Sequence, residues 1–274
     1  MTRSSRAWSY RRGDDVRYIG VDLAWAGRNP TGLAALDDHG GLLDMAAVRT
    51  DDDIDTWLRS YANGECLVAV DAPIIVRNPT GQRPCEQLVS RYFGSYAAGA
   101  HPSNTSRPWF AHGTRAESIA SRHALDVDPA SHQRRRVIEV YPHPAIVMLF
   151  GLARSIPYKN KRGRDLEQLR AAQLRLVSLL EGLHWADPAL NLDHPAWRAT
   201  RESVERAATK AMLRRTEDQV DAVVCAYVAF VADTRPERVR VLGDTDSGYI
   251  VTPVTPDMSR DMDADVRSTT TQRI

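Results

Sequence analysis

Arg17–Trp25, with the sequence RYIGVDLAW, is a short apolar segment that carries a single carboxylate, Asp22, near its end. Tyr18, Ile19 and Val21 predict a buried strand, because a short apolar run bounded by glycine and proline is typical of one. Asp22 is therefore expected at the edge of a hydrophobic core. Burying a lone carboxylate costs roughly several kcal/mol unless a cation, hydrogen bonds or a second charge compensates it. The segment thus predicts a strand that ends at a functional acidic residue.

Two later apolar runs repeat this pattern. The runs CLVAVDAP and RVIEVYP carry Asp71 and Glu139, respectively. Farther on, the segment EDQVDA opens an apolar helix in which Asp218 and Asp221 are three residues apart, and this spacing places both on one helical face. Carboxylates gathered from separate segments are what Mg²⁺ and Mn²⁺ require, since these hard cations prefer oxygen ligands. The sequence therefore predicts a divalent-metal site built from Asp22, Asp71, Glu139, Asp218 and Asp221.

The composition favours a soluble protein of the cytoplasm. The chain has 274 residues, of which 43% are hydrophobic, enough to form a substantial core. Its 36 basic and 35 acidic residues give a net charge of +1, so any nucleic-acid surface must be a local basic patch. The three cysteines form no CxxC pair, which favours a reducing compartment. The N-terminus lacks the apolar core of a signal peptide, and no segment approaches the roughly 20 apolar residues of a membrane span.

The order of these segments predicts one domain with an insertion. Residues 16–254 carry the strands and helices, the last strand being Gly248–Pro253. Residues 78–135 interrupt them with two short helices and a long loop, and we expect this insertion to cover the site, because long connections in compact domains are often functional. The Arg-rich residues 1–15 are expected to be a mobile tail, and residues 255–274 a disordered one.

Several basic residues are candidates for contacts with a substrate phosphate. Arg83 and Arg107 lie in the insertion, and Lys159, Lys161 and Arg164 lie in the turn PYKNKRGRD, downstream of the third acidic run. A run of charge can also be a solvated face, and loop arginines can simply satisfy the backbone, so both interpretations stay open.

His143 lies between two prolines at a predicted helix start. An imidazole there could bind a metal or a substrate, or it could have only a structural role. The sequence leaves these two interpretations open.

The ordered set of motifs resembles the domain-of-unknown-function 429 family, described as predicted nucleases of ribonuclease-H-like fold. The resemblance rests on IGVDLAW, VAVDAPI, GQRPCE, GAHPSN, EVYPHPA, YKNKRGRDLEQLR and EDQVDAVVCAYVA, and it covers about residues 17 to 253. It implies an α/β fold with a mixed five-stranded sheet, in which an antiparallel meander is followed by parallel strands, flanked by helices. It also implies that two Mg²⁺ or Mn²⁺ ions bind at Asp22, Asp71, Glu139 and Asp221, with Asp218 as a companion or substitute.

The expected activity is hydrolysis of phosphodiester bonds by a two-metal mechanism. The expected partner is a nucleic acid, or else a small phosphodiester or nucleotide. Two alternatives remain, because fold does not fix function. The stretch GVDLAWAGRNPTG also looks like the first phosphate loop of actin-like ATPases and phosphotransferases, and the acidic cluster could be a relic in a non-catalytic nucleic-acid-binding or scaffold protein.

Overall fold

The central element of the structure, a computed structural model that describes residues 15–25 and 29–271, is a mixed five-stranded sheet. Its spatial order is β3-β2-β1-β4-β5, with β1, β2 and β3 antiparallel and β1, β4 and β5 parallel. This arrangement confirms the predicted α/β fold, a meander followed by parallel strands, and it is compatible with a ribonuclease-H-like fold. The strands are β1 (Arg17–Asp22), β2 (Thr31–Leu36), β3 (Leu42–Val48), β4 (Cys66–Val70) and β5 (Arg135–Glu139).

The parallel strands bring three acidic residues to one edge of the sheet. Asp22 ends β1 and Glu139 ends β5, while Asp71 follows β4 directly and donates its backbone N–H to Val21 at 2.8 Å. Because the carboxyl ends of parallel strands meet at the same edge, residues far apart in sequence become neighbours there.

Eight helices surround the sheets in the part of the chain that the structure describes. They are α1 (Asp51–Tyr61), α2 (Pro84–Phe93), α3 (Arg115–Arg122), α4 (Pro142–Leu149), α5 (Leu166–Gly182), α6 (Pro195–Glu205), α7 (Lys210–Thr234) and α8 (Pro256–Thr271). The predicted helices of the insertion are present as α2 and α3. No helix within the described ranges is both long and apolar enough to cross a membrane.

Helix α7 lies directly on the sheet, and two glycines permit this close approach. A Cβ atom added to Gly20 would lie 1.8 Å from the carbonyl oxygen of Ala222, and one added to Gly32 would lie 1.8 Å from that of Asp218. No side chain fits in either gap, so backbone packs against backbone. The contact fixes the N-terminal half of α7, with Asp218 and Asp221, above the end of β1.

A second, smaller core joins the insertion to the C-terminal part of the chain. It packs α2 against α8 and against an antiparallel hairpin of β6 (Val239–Asp244) and β7 (Gly248–Pro253). The strand predicted at 248–253 is present, whereas β6 was not predicted. The buried residues of this core are Cys85, Val89, Phe93, Ala98, Val147, Leu242, Ile250, Val254 and Met262.

Helix α8 corrects the prediction that residues 255–274 form a disordered tail. Met262 is buried in the second core, and Tyr92 donates its hydroxyl to Asp265 at 2.8 Å. Asp265 also pairs with Arg91, so α8 is held to α2, while Ser259 contacts Arg240 of β6. The other predicted tail, residues 1–15, lies outside the described residues except for Asp15.

All three cysteines are unpaired and buried. Burial raises the pKa of the Cys66 thiol to about 11 and that of the Cys85 thiol to about 12. Cys66 and Cys225 belong to the main core, and Cys85 belongs to the second one.

Candidate metal centre

Asp22 and Asp221 meet around the side chain of Lys159. The Lys159 ammonium forms an ion pair with Asp221 Oδ2, and it lies 3.7 Å from Asp22 Oδ2. The other oxygen of Asp221 accepts a hydrogen bond of 2.7 Å from the Tyr158 hydroxyl. Asp221 and Tyr158 are completely or almost completely buried, so the turn before α5 delivers both a hydroxyl and a cation to the acidic edge of the sheet.

Negative charge exceeds positive charge at this site. Burial, and secondarily repulsion by neighbouring carboxylates, raises the pKa of Asp22 well above its ordinary value and that of Asp71 to about 7, although Lys159 lowers both. Burial likewise raises the pKa of Asp218 to about 6 and that of Glu217 to about 7. The Lys159 ammonium thus interacts with five carboxyl groups, namely those of Asp22, Asp71, Glu217, Asp218 and Asp221.

One oxygen of this cluster lacks a close partner. Asp22 Oδ2 is buried and accepts no hydrogen bond from any described group, and its ion-pair partner, Lys159 Nζ, lies 3.7 Å away. Asp221 Oδ2 is in direct contact with the same ammonium. Buried acceptors of this kind are costly unless an ion or water satisfies them. Since carboxylate oxygens suit hard cations, the residues present fit Mg²⁺ or Mn²⁺, with Asp22, Asp71, Asp218 and Asp221 as the possible ligands.

The cluster is not preassembled for coordination. Within residues 15–25 and 29–271, no three potential ligand side chains already surround a common point at metal-binding distance. Lys159 occupies the space between two of the carboxylates instead. A cation would therefore have to move this lysine and draw the carboxylates together.

The structure pairs two of the predicted site residues, Glu139 and Arg83, with each other. Arg83 donates from Nη2 to Glu139 Oε1 at 2.5 Å and from Nη1 to Oε2 at 2.9 Å, and the backbone N–H of Ile74 also donates to Oε2 at 2.9 Å. Both oxygens of Glu139 are thus engaged, and the predicted metal ligand is neutralised by the predicted phosphate contact. Arg83 is 1% exposed, and its donors are engaged by Glu139, Glu86 and the Ile75 carbonyl.

Arg83 instead fastens the insertion to the sheet. Its Nε donates to Glu86 Oε1 at 2.9 Å and its Nη1 also donates to the carbonyl of Ile75 at 2.9 Å. Glu86 Oε2 in turn accepts from the backbone N–H of Ser103 at 3.0 Å. This buried network ties α2 and the following loop to the end of β5.

The other basic candidates lie around the cluster, not inside it. Lys161 is exposed on the same turn as Lys159, and Arg164 donates to the Lys159 carbonyl at 2.6 Å, so it supports that turn. The Arg107 guanidinium lies 5.9 Å from the centre of the Trp109 ring. Among the contacts that the structure describes, neither Lys161 nor Arg107 pairs with an acidic residue of the cluster.

His143 has a supporting position. Its Nδ1 lies 3.1 Å from the Ser155 hydroxyl, and its ring centre lies 5.6 Å from that of Tyr158. Burial lowers the pKa of His143 to about 4, so the imidazole is neutral at physiological pH. These contacts favour the structural interpretation, in which His143 packs behind the tyrosine that holds Asp221.

Three residues of the site were not singled out in the sequence. Tyr158 precedes the predicted Lys159 directly and Glu217 precedes Asp218, so they belong to the motifs PYKNKRGRD and EDQVDA. Glu217 accepts a hydrogen bond of 3.1 Å from the backbone N–H of Asn160 and thereby holds the lysine turn against α7. Ser103 lies in the motif GAHPSN, but nothing in that motif distinguishes it from the other polar residues of its loop.

A cleft adjoins the acidic cluster on the side of Asp71. Trp25, His101 and Tyr141 contribute to its walls. Ser103, which is 1% exposed, also lines this cleft, and its hydroxyl has no hydrogen-bond partner among the described residues. The cleft therefore combines aromatic surface with an unsatisfied hydroxyl next to the carboxylates.

The predicted phosphate loop GVDLAWAGRNPTG extends over residues 26–28, which lie outside the described residues. The prediction of an actin-like ATPase therefore stays a prediction.

In comparisons with known proteins, the family model described as "Protein of unknown function (DUF429)" matches residues 20–247. No curated protein and no solved structure matched the chain.

Proposed function

The chain belongs to the DUF429 family of proteins of unknown function, and from the geometry of its acidic site we propose that it is a metal-dependent phosphodiesterase, acting as a nuclease. The observation that carries this proposal is the charge imbalance at the sheet edge. One ammonium group interacts with five carboxyl groups, and the buried Asp22 Oδ2 accepts no hydrogen bond from any described residue. Divalent cations would compensate this excess of negative charge.

Asp22, Asp71 and Asp221 would hold two Mg²⁺ or Mn²⁺ ions, with Asp218 as a companion ligand. Bound metal ions of this kind activate water and stabilise the charge on a phosphodiester in its transition state. The protein's own contribution is positional. Tyr158 fixes the orientation of Asp221 through its hydrogen bond, and the close contact of α7 with β1 and β2 sets the distance between the helix carboxylates and Asp22.

The substrate would be a nucleic acid or a small phosphodiester. The cleft beside Asp71 offers aromatic surface to a sugar or base, while Lys161 is exposed on the neighbouring turn for a phosphate. Reduced, unpaired cysteines favour a cytoplasmic setting for this activity.

The proposal is tested by titrating Mn²⁺ into the wild type, Asp22→Asn and Glu139→Gln, and by following the heat of binding and the melting temperature. We expect Mn²⁺ to stabilise the wild type by several degrees and to have no effect on Asp22→Asn. Glu139→Gln should lower the melting temperature, because it leaves Arg83 buried with a weakened partner, yet it should retain Mn²⁺ binding.

Cleavage is then measured on single-stranded and duplex DNA, RNA and a chromogenic bis-aryl phosphodiester, with Mn²⁺ or Mg²⁺. Activity in the wild type and its loss in Asp22→Asn and Asp71→Asn would support the proposal. If the wild type neither binds Mn²⁺ nor cleaves any of these substrates, the proposal is wrong. Stabilisation by ATP in place of Mn²⁺ would instead support the actin-like alternative.

A further inference from the structure

Lys159 has a setting unlike that of Arg83, the cation that pairs with Glu139. Arg83 makes a two-point contact with Glu139, and the Glu86 carboxylate and the Ile75 carbonyl also accept hydrogen bonds from it. Lys159 contacts Asp221 directly, but it lies 3.7 Å from Asp22 Oδ2, which has no hydrogen-bond partner among the described residues. The Arg83 network is complete, whereas Asp22 is only partly compensated.

The type of cation is also unusual for this chain. Only three of its 36 basic residues are lysines, namely Lys159, Lys161 and Lys210. An arginine would lock two carboxylates through its planar fork, whereas a lysine is a compact charge on a flexible stem. The chain therefore uses its rarer basic residue, and the one that is easier to displace, at the acidic edge of the sheet.

The turn that carries Lys159 permits its side chain to leave while the backbone stays in place. Arg164 binds the Lys159 carbonyl at 2.6 Å, and the backbone N–H of Asn160 is held by Glu217 at 3.1 Å. The Lys159 side chain is 25% exposed, so a path to solvent exists from its position between the carboxylates. Rotation about the side-chain bonds is enough to open the space.

We propose that Lys159 is an internal counter-ion that a divalent cation displaces from between Asp22 and Asp221, and that the released ammonium then joins Lys161 as a contact for the substrate phosphate. This inference rests on the proposed function. Metal binding and exposure of the lysine to the substrate phosphate are then coupled, because Lys159 cannot lie between the carboxylates and contact the phosphate at the same time. The chain thus keeps its acidic cluster partly neutralised until metal arrives.

Amine labelling of the full-length wild type tests the displacement directly. The protein is treated with an acetylating reagent at pH 8, with and without a saturating concentration of Mn²⁺, and acetylation of each lysine is quantified by peptide mass spectrometry. We expect Lys159 to be protected without metal and to be labelled severalfold faster with Mn²⁺. Lys161 and Lys210 are exposed, and they serve as internal controls whose labelling should not change.

The outcomes separate this inference from the proposed function. If calorimetry shows that Mn²⁺ binds while Lys159 stays protected, displacement is wrong although the metal site stands. If Mn²⁺ does not bind at all, both proposals fail. Labelling of Lys159 at the same rate with and without metal would also overturn the displacement.

Three variants provide a second measurement. Lys159→Met should raise the affinity for Mn²⁺ about tenfold or more, because the competing cation is gone. Lys159→Arg should lower the affinity below that of the wild type, since it keeps the charge and binds the carboxylates through two points. Lys210→Met, which changes an exposed lysine outside the proposed site, should leave the affinity nearly unchanged. An unaltered affinity in both Lys159 variants would contradict the inference.

Discussion

Asp22, Asp71 and Glu139 follow similar apolar runs in the sequence, yet the structure gives them different roles. The sequence indicated that all three carboxylates gather from separate apolar runs, and the structure places them at one edge of the sheet, because each ends or directly follows a parallel strand. It could not indicate that Glu139 is neutralised there, since its partner Arg83 lies 56 residues away in a loop-rich segment. For the same reason, the basic turn with Lys159 predicted a contact with phosphate and not an ion pair inside the carboxylate cluster.

Asp71→Asn should stabilise the metal-free protein increasingly as the pH rises. The folded protein holds a proton on Asp71 up to a pKa of about 7, whereas the unfolded chain releases it near pH 4. The folded state therefore binds more protons between these values, so its stability falls as the pH rises from about 4 to about 7. Asp71→Asn removes this loss of unfolding free energy, which amounts to about 4 kcal/mol at most.

Urea unfolding of both proteins without metal at pH 5, 6, 7 and 8 checks this expectation. The lowered pKa of His143, about 4, makes the free energy of unfolding rise with pH. This contribution is present in both proteins, so it cancels when their free energies of unfolding are subtracted. Asp246→Asn, at an exposed turn, is the matched control and should show no such trend. A stability difference between Asp71→Asn and the wild type that stays constant from pH 5 to pH 8 would contradict the argument.

Among the elements, α7 decides where the site is. Its sequence, apolar nearly all round, predicted a helix buried against the sheet, and the structure bears this out. What the sequence did not reveal is how close the helix lies. Gly20 and Gly32 occur inside strands, where a glycine can mark the close approach of another backbone. The sequence does not indicate which backbone that is, and only the structure identifies it as that of α7.

Gly32→Ala should displace α7 and weaken metal binding. The new methyl group would lie 1.8 Å from the carbonyl oxygen of Asp218, so the helix must move and carry Asp218 and Asp221 with it. We expect a loss of about 1–3 kcal/mol or more in the free energy of unfolding, together with a lower affinity for Mn²⁺. Gly182→Ala, at the end of α5 where an added Cβ meets nothing within 4 Å, is the control and should lower neither quantity. Wild-type Mn²⁺ affinity in Gly32→Ala would show that the close approach does not position the site.

At the scale of the whole molecule, two cores share the chain. The main core packs the sheet against α7 and also against α1, α3 and α5, and the second core joins α2, the β6–β7 hairpin and α8. The sequence predicted the first core because its elements are strongly apolar. It missed α8 because that segment is largely polar, with two methionines and one valine as its larger apolar side chains. Its well-buried residue, Met262, predicts packing only when the surface of α2 and the hairpin is known.

Met262→Ala should destabilise the protein without affecting the metal site. Removing most of a side chain that is 5% exposed leaves a cavity and should cost about 2–4 kcal/mol. Met212→Ala provides the comparison, because Met212 is 38% exposed and its loss should cost much less. Chemical unfolding measures the stability, and Mn²⁺ calorimetry should show unchanged affinity in both variants. If Met262→Ala unfolds like the wild type, residues 256–271 contribute no packing, and the disordered tail predicted from the sequence would be the better description.

The rates at which the three buried thiols are alkylated report local unfolding of this molecule. With pKa values far above the ordinary range, they are protonated as well as hidden, so an alkylating reagent can modify them only after the surrounding structure opens. Cys85 belongs to the second core, whereas Cys66 and Cys225 belong to the main one. The order in which the thiols are modified therefore reports which of the two cores unfolds first.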